Sequence, residues 1–180
     1  MSEDIEIKVA NLTPKIKVVF AGEGGTGKTS IIKAIDQRPF DPAERLTVGI
    51  DFQILCFVDS NNNQRRTAIW DLGGQVQFKF MASATAAGCN ILAYVFDFER
   101  YKTWLALPEW RDLLQDSVTR DVRVFLIGNK LDCQVFEPSD EEIANIKQEL
   151  GAEEYFAISA KEGTGVEELK RYLFKLLESF

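Results

Sequence analysis

The chain has no histidine. That removes the side chain that most often moves protons near neutral pH, and with it every histidine metal site. Cysteine is scarce: Cys56, Cys89 and Cys133 are scattered without metal-type spacing. An odd, sparse set of this kind reads as reduced thiols in a cytoplasmic compartment, in core or loop positions rather than as nucleophiles. Positive charge is in deficit, with 21 Lys and Arg against 28 Asp and Glu, a net charge of −7 and a pI near 4.8. This balance argues against nonspecific nucleic-acid binding. No run of 18 apolar residues is present, so no membrane span is expected. The first residues, Met1-Ser2-Glu3-Asp4, are acidic and carry no signal-peptide pattern. Internal repeats, low-complexity tracts and linkers are missing too.

What remains is an ordinary globular composition, 46% hydrophobic and 27% charged over 180 residues. That length predicts one domain that buries roughly 70% of its extended-chain surface. Ile16–Ala21, Ile91–Phe96 and Val122–Ile127 are nearly continuous apolar runs, as in central strands buried on both faces. Phe52–Val58 and Thr67–Trp70 flank the turn-rich Asp59–Gln64 and predict an antiparallel hairpin. A last strand is expected at Tyr155–Ile158. Helices are expected from Lys28, in a short segment after Gln75, and over Trp104–Gln115 with a break or start near Pro108. Ser139 with Glu142 forms a capping-box pattern, with Gly151 placed to end that helix. Thr164 with Glu167 repeats it ahead of a helix whose Leu169, Tyr172, Leu173, Leu176 and Phe180 fall on one core-facing stripe. Residues 1–14 read as an N-terminal extension, in which Ile5–Val9 alternates like a strand, and residues 15–180 as the domain. The order predicts an α/β three-layer sandwich, with a six-stranded, mostly parallel sheet containing one antiparallel strand, and about five helices.

One stretch organises the rest. Gly22-Glu23-Gly24-Gly25-Thr26-Gly27-Lys28-Thr29 fits G-x-x-x-x-G-K-[ST] between a predicted strand and a predicted helix. In that context its glycines let backbone N–H groups wrap a polyphosphate, Lys28 reaches the outer phosphates and the Thr29 hydroxyl can ligate Mg²⁺. Each further motif follows another predicted strand, where ligands of such sheets bind. Trp70-Asp71-Leu72-Gly73-Gly74-Gln75 offers a carboxylate for Mg²⁺ at Asp71, an unobstructed backbone N–H at Gly74, and in Gln75 a donor–acceptor pair that can orient an attacking water. Asn129-Lys130-Leu131-Asp132 offers Asp132 to the paired ring N–H and amine of guanine, with the stem of Lys130 along the base plane. Ser159-Ala160-Lys161 offers backbone N–H groups to a base carbonyl. Thr47 can complete the Mg²⁺ shell. Phe40, seven residues earlier, can stack on the base, although by itself it reads as a core aromatic. Arg45 is a candidate cis-acting arginine, with a solvated loop side chain as the alternative.

With these motifs in order, the chain resembles the Ras superfamily of small GTPases, a group of P-loop NTPases, from about Ile16 to Phe180. The resemblance implies GTP or GDP and Mg²⁺ as ligands. It implies a nucleotide site of Glu23, Gly24, Gly25, Thr26, Gly27, Lys28, Thr29, Ser30, Phe40, Thr47, Gly74, Asn129, Lys130, Asp132, Ser159, Ala160 and Lys161, with the metal at Thr29, Thr47 and Asp71. Catalysis is carried over to Gln75, Lys28, Thr47 and Gly74. Thr47–Phe52 resembles a Rab switch I, whereas Trp70–Gln75 resembles an Arf switch II because Gly73 replaces the alanine usual in Ras and Rab. The resemblance implies a monomeric switch that meets effectors, exchange factors and GTPase-activating proteins through switch I and switch II. Neither Ser2 nor the C-terminal Leu176–Phe180 carries a lipidation pattern, so no direct lipid anchor is expected. The rival readings are a module that holds GTP without turnover and an ATP-using phosphate-loop enzyme.

Overall fold

The computed structural model describes residues 16–119 and 121–180. The anticipated extension over residues 1–14, with its alternating Ile5–Val9, lies outside them. β1 (Lys17–Ala21), β4 (Ile91–Asp97) and β5 (Arg123–Asn129) form the centre of a six-stranded sheet. β2 (Ile50–Val58) and β3 (Gln64–Leu72) lie on one side and β6 (Glu154–Ala157) on the other, in the order β2-β3-β1-β4-β5-β6. Every pairing is parallel except β2 with β3. The hairpin is longer than its apolar stretches predicted. Its pairing runs from Ile50↔Leu72 to Val58↔Gln64, so main-chain bonding carries it through the polar residues at both ends.

Side-chain alternation along the central strands divides the core into two layers. Val18, Phe20, Ala93, Val95, Phe125 and Ile127 face α1 (Lys28–Ile35) and α6 (Val166–Glu178). Val19, Ala21, Leu92, Tyr94, Phe96 and Leu126 face the opposite layer: α2 (Ala82–Ala86), α4 (Leu107–Leu114) and α5 (Asp140–Leu150). α2 continues directly from a 3₁₀ helix, Val76–Met81, which is the short segment anticipated after Gln75. α3 (Tyr101–Leu105) and α4 are separated only by Ala106, which keeps helical dihedrals. Pro108 has no N–H to bond back into the preceding turn, so the two form one interrupted body that starts three residues before Trp104. With that body counted once, five helices flank the sheet among the described residues.

The cap at α5 forms as the sequence pattern dictates. The Glu142 amide donates to Ser139 Oγ at 3.3 Å, the Ser139 amide donates to Glu142 Oε2 at 2.8 Å, and Gly151 ends the helix in the left-handed region. The second box does not form. Gly165, with φ 71°, is the N-cap of α6 and no side chain caps that end. The loop before α6 folds back on itself instead, with the Ser159 amide bonded to the Thr164 carbonyl at 3.0 Å. Phe180 also departs from its expected stripe. α6 ends at Glu178, Ser179 Oγ donates to the Leu176 carbonyl at 2.6 Å, and Phe180 is 48% exposed while Leu177 packs in the core. No helix among the described residues is long and apolar enough to cross a membrane.

Candidate functional site

Parallel register aligns the carboxyl ends of five strands along one edge, with Phe20 opposite Asp71, Asp97 opposite Asn129 and Gly128 opposite Ala157. The turn between β1 and α1 crosses that edge, and Gly27, in the left-handed conformation, opens α1. A cleft of about 390 Å³ lies in front of it. Gly24, Gly25, Gly27, Lys28, Thr29, Ser30, Phe40, Thr47, Asp71, Gly74, Gln75, Asn129, Lys130, Asp132, Ala160 and Lys161 all line it. Motifs up to 137 positions apart in the chain therefore face one volume. Phe40 is 41% exposed at this cleft and is not a core aromatic. Arg45 also lines the cleft and is exposed.

Glu23, Thr26 and Ser159 do not line the cleft. Thr26 is fully buried, with its hydroxyl donating to the Glu23 carbonyl at 3.0 Å. Ser159 Oγ donates to Asp132 Oδ1 at 2.6 Å. The side chain of Glu23 leaves the cleft altogether: it accepts from Trp110 Nε1 at 3.1 Å and pairs with Lys79 at 2.8 Å.

Lys28 is buried, and its ammonium donates to the carbonyls of Gly22 and Glu23 at 2.8 and 3.0 Å. Burial lowers its pKa to about 8, with Asp71 and Glu23 pulling the other way. Beside it three oxygens converge. Thr29 Oγ1 donates to Asp71 Oδ2 in a short bond, Thr47 Oγ1 stands 3.2 Å from the same oxygen, and the two hydroxyls are 2.9 Å apart. Asp71 is fully buried, and burial raises its pKa against the attraction of Lys28. Its Oδ1 is buried and without a hydrogen-bond partner among the described residues. One carboxylate with an unused oxygen and two hydroxyls suit a hard, oxygen-seeking divalent ion such as Mg²⁺. Such an ion takes few protein ligands and completes its shell with water and phosphate oxygens. No group of three or more acidic or cysteine side chains that could form an all-protein metal cage occurs among the described residues.

Gly74 lies against the turn between β1 and α1. A Cβ on it would stand 2.1 Å from the Gly24 nitrogen and 2.3 Å from the Gly22 carbonyl oxygen, so no other residue fits without moving the loop. At the other end of the cleft Asn129 is a strut. Its Nδ2 donates to the Thr26 carbonyl at 2.9 Å and its Oδ1 accepts from the Ala160 amide at 3.0 Å. The Ala160 N–H, expected to face a base carbonyl, is thus engaged by Asn129 in this structure. Lys130 Nζ pairs with Glu99 at 3.0 Å and Asp97 at 3.3 Å. Asp132 faces Lys161 at 3.4 Å, and the bond from Ser159 holds its carboxyl below the usual range, so it is an acceptor at neutral pH.

Three features escape the sequence motifs. Asp97 is fully buried and receives Arg100 through its backbone amide at 2.7 Å and Nε at 2.8 Å. The Arg100 guanidinium then lies 3.4 Å from where a Cβ on Gly25 would be. A signal existed: Asp97-Phe98-Glu99-Arg100 follows an apolar strand run, as Asp71 and Asn129 do. Glu44 ties the segment before Thr47 to α1, through Ser30 at 3.3 Å and a short bond from Lys33. The contact of Glu23 with Lys79 and Trp110 joins residues 56 and 87 positions apart, and no local pattern announces it.

A family model described as Ras family matches residues 17–179. Among curated relatives the chain is similar to "Ras-related protein Rab-12" of Mus musculus, 31% identical over 156 residues. That match covers 86% of this chain and 64% of the relative. "Ras-related protein Rab-30" of Homo sapiens is 30% identical over 153 residues, covering 85% of this chain and 75% of the relative. "Ras and EF-hand domain-containing protein" of Danio rerio is 29% identical over 177 residues, covering 96% of this chain and 26% of the relative.

Proposed function

Because this chain belongs to the Ras family, we propose that it is a GTP-binding switch that hydrolyses GTP to GDP and phosphate, with residues 15–180 as its GTPase domain. One observation carries the reading. Lys28 and the oxygens of Thr29, Thr47 and Asp71 converge in the same cleft as Asn129, Lys130 and Asp132. Phosphate grip, cation ligands and a base-reading carboxylate then serve one molecule.

In the proposed reaction, water attacks the γ-phosphorus in line with the bond to the bridging oxygen. That bond breaks, GDP keeps the electron pair, and the proton of the water ends on the released phosphate. Gln75 orients the water. Lys28, the Gly74 amide and the phosphate-loop amides hold the phosphate oxygens as charge shifts toward GDP. Thr29, Thr47 and Asp71 would hold Mg²⁺, which when bound neutralises phosphate charge. Asp132 accepts from the guanine edge, Phe40 stacks on the ring, and the stem of Lys130 covers its face. Loss of the γ-phosphate frees Thr47 and Gly74, so residues 40–52 and 73–85 change between states and select effectors, exchange factors and GTPase-activating proteins. Leu46, Val48, Phe52 and Phe80 are exposed apolar side chains in those segments, which supports a partner-binding role. Thr47–Phe52 and the Rab relatives favour a Rab-like switch I. Gly73 favours an Arf-like switch II.

The test begins with chromatography of the nucleotide released when the purified protein is denatured. GDP or GTP is expected, and Asp132→Asn should weaken guanine and improve xanthine nucleotide binding. Phosphate release in a single turnover should fall in Gln75→Leu. A protein that retains no guanine nucleotide overturns the reading. One that retains GTP without releasing phosphate is a GTP-holding module instead.

A further inference from the structure

The segment that carries Gln75 is attached to the phosphate loop at two points. The first is Gly74, seated on the backbone of Gly22–Gly24. The second is Lys79, five residues later in the 3₁₀ helix Val76–Met81. Its ammonium pairs with Glu23 of the loop at 2.8 Å and with Glu109 at the start of α4 at 3.0 Å. It also lies 5.2 Å from the centroid of the Trp110 ring, whose indole N–H donates to the same Glu23. Trp110 is 1% exposed within the core layer, so it gives both partners a fixed reference.

Two features set this contact apart from an ordinary surface ion pair. The Lys79 side chain is only 14% exposed and that of Glu23 24% exposed, so water screens the pair weakly. A ring face adds cation–π attraction from a third direction. Burial by itself would lower the Lys79 pKa, but its bonds to Glu23 and Glu109 outweigh burial and raise it, so the ammonium stays charged at neutral pH.

We propose that Lys79 is a positioning residue for hydrolysis: its contact with Glu23 and Trp110 pins the far end of the Gln75 segment to the phosphate loop. This rests on the GTPase reading above. Gln75 is then held between two anchors a few residues apart, and the loop that grips the phosphates also sets where Gln75 stands. Releasing the distal anchor lengthens the free span and loosens Gln75, while the nucleotide contacts remain. A misplacement of about 1 Å at a reacting centre costs up to about a hundred-fold in rate.

The test uses the full chain loaded with GTP and magnesium. Lys79→Met keeps an apolar stem against Trp110 and removes the charge. Single-turnover phosphate release is expected to fall about ten-fold, with GDP affinity within about two-fold of the parent. Lys79→Arg, which can pair with Glu23 and stack on Trp110, should restore most of the rate. Glu23→Gln, which still accepts from the indole, should slow the step as Lys79→Met does and supplies the readout if Lys79→Met does not fold. In a Gln75→Leu background Lys79→Met should add nothing, because the residue it positions is gone. An unchanged rate in both single variants, or equal losses of rate and affinity, overturns the proposal. If the parent protein binds guanine nucleotide and hydrolyses it, that failure belongs to the anchor alone. If the parent does neither, the GTPase reading has failed first.

Discussion

Burial lowers the Lys28 pKa from 10.5 to about 8. Below pH 8 the side chain is charged in both folded and unfolded chains, and the folded state bears the desolvation penalty. Between 8 and 10.5 the unfolded chain keeps a proton that the folded one has lost, so this group adds stability as pH rises. Phosphate binding has the opposite linkage, because phosphate oxygens favour the ammonium. The affinity of nucleotide-free protein for GDP should therefore fall several-fold between about pH 7.5 and 9. Calorimetry in two buffers of different ionisation heat should register proton uptake, and Lys28→Met should lose both effects. At the same scale Gly73 shows where reading residues one at a time stops. The chain shows a glycine where an alanine is usual; the structure supplies the reason. The Gly73 amide donates to the Gly49 carbonyl at 2.7 Å, and a Cβ would stand 2.4 Å from that oxygen. The constraint comes from Gly49, more than twenty residues away.

Two capping patterns with the same spacing behave differently at the scale of the element. Ser139 and Glu142 satisfy each other's orphan amides, whereas Thr164 is bypassed by a left-handed Gly165. Ser139→Ala should lower the unfolding free energy by about 1 kcal/mol in urea titration. Thr164→Ala should change it by less than about 0.5 kcal/mol. Equal effects would mean that spacing, not the formed bonds, sets helix stability here. The local pattern is legible in both stretches. Which one forms depends on where the chain enters the helix, and for α6 the loop fold-back from Ser159 to Thr164 decides that.

Across the whole molecule the cleft joins the ends of β1, β3 and β5 with the loop after β6, so a ligand filling it ties together elements from most of the chain. GDP or GTP with magnesium at about a thousand times its dissociation constant should add about 4 kcal/mol of stability. In thermal unfolding this should appear as a higher Tm with guanine nucleotides, no rise with ATP at equal concentration, and a smaller rise in the presence of EDTA. The order of strands and helices, and the placement of each motif after a strand, were determined by the sequence alone. Apolar runs, turn residues and the glycines of Gly22–Gly27 act on their immediate neighbours, so a linear reading suffices. Only the tertiary structure decided which distant groups meet: Asn129 with the Thr26 carbonyl, Arg100 beside Gly25, Glu23 with Lys79 and Trp110. Those meetings depend on strand order, register and the angle at which each helix packs, and these are set by burying two apolar layers at once rather than by any single stretch of chain.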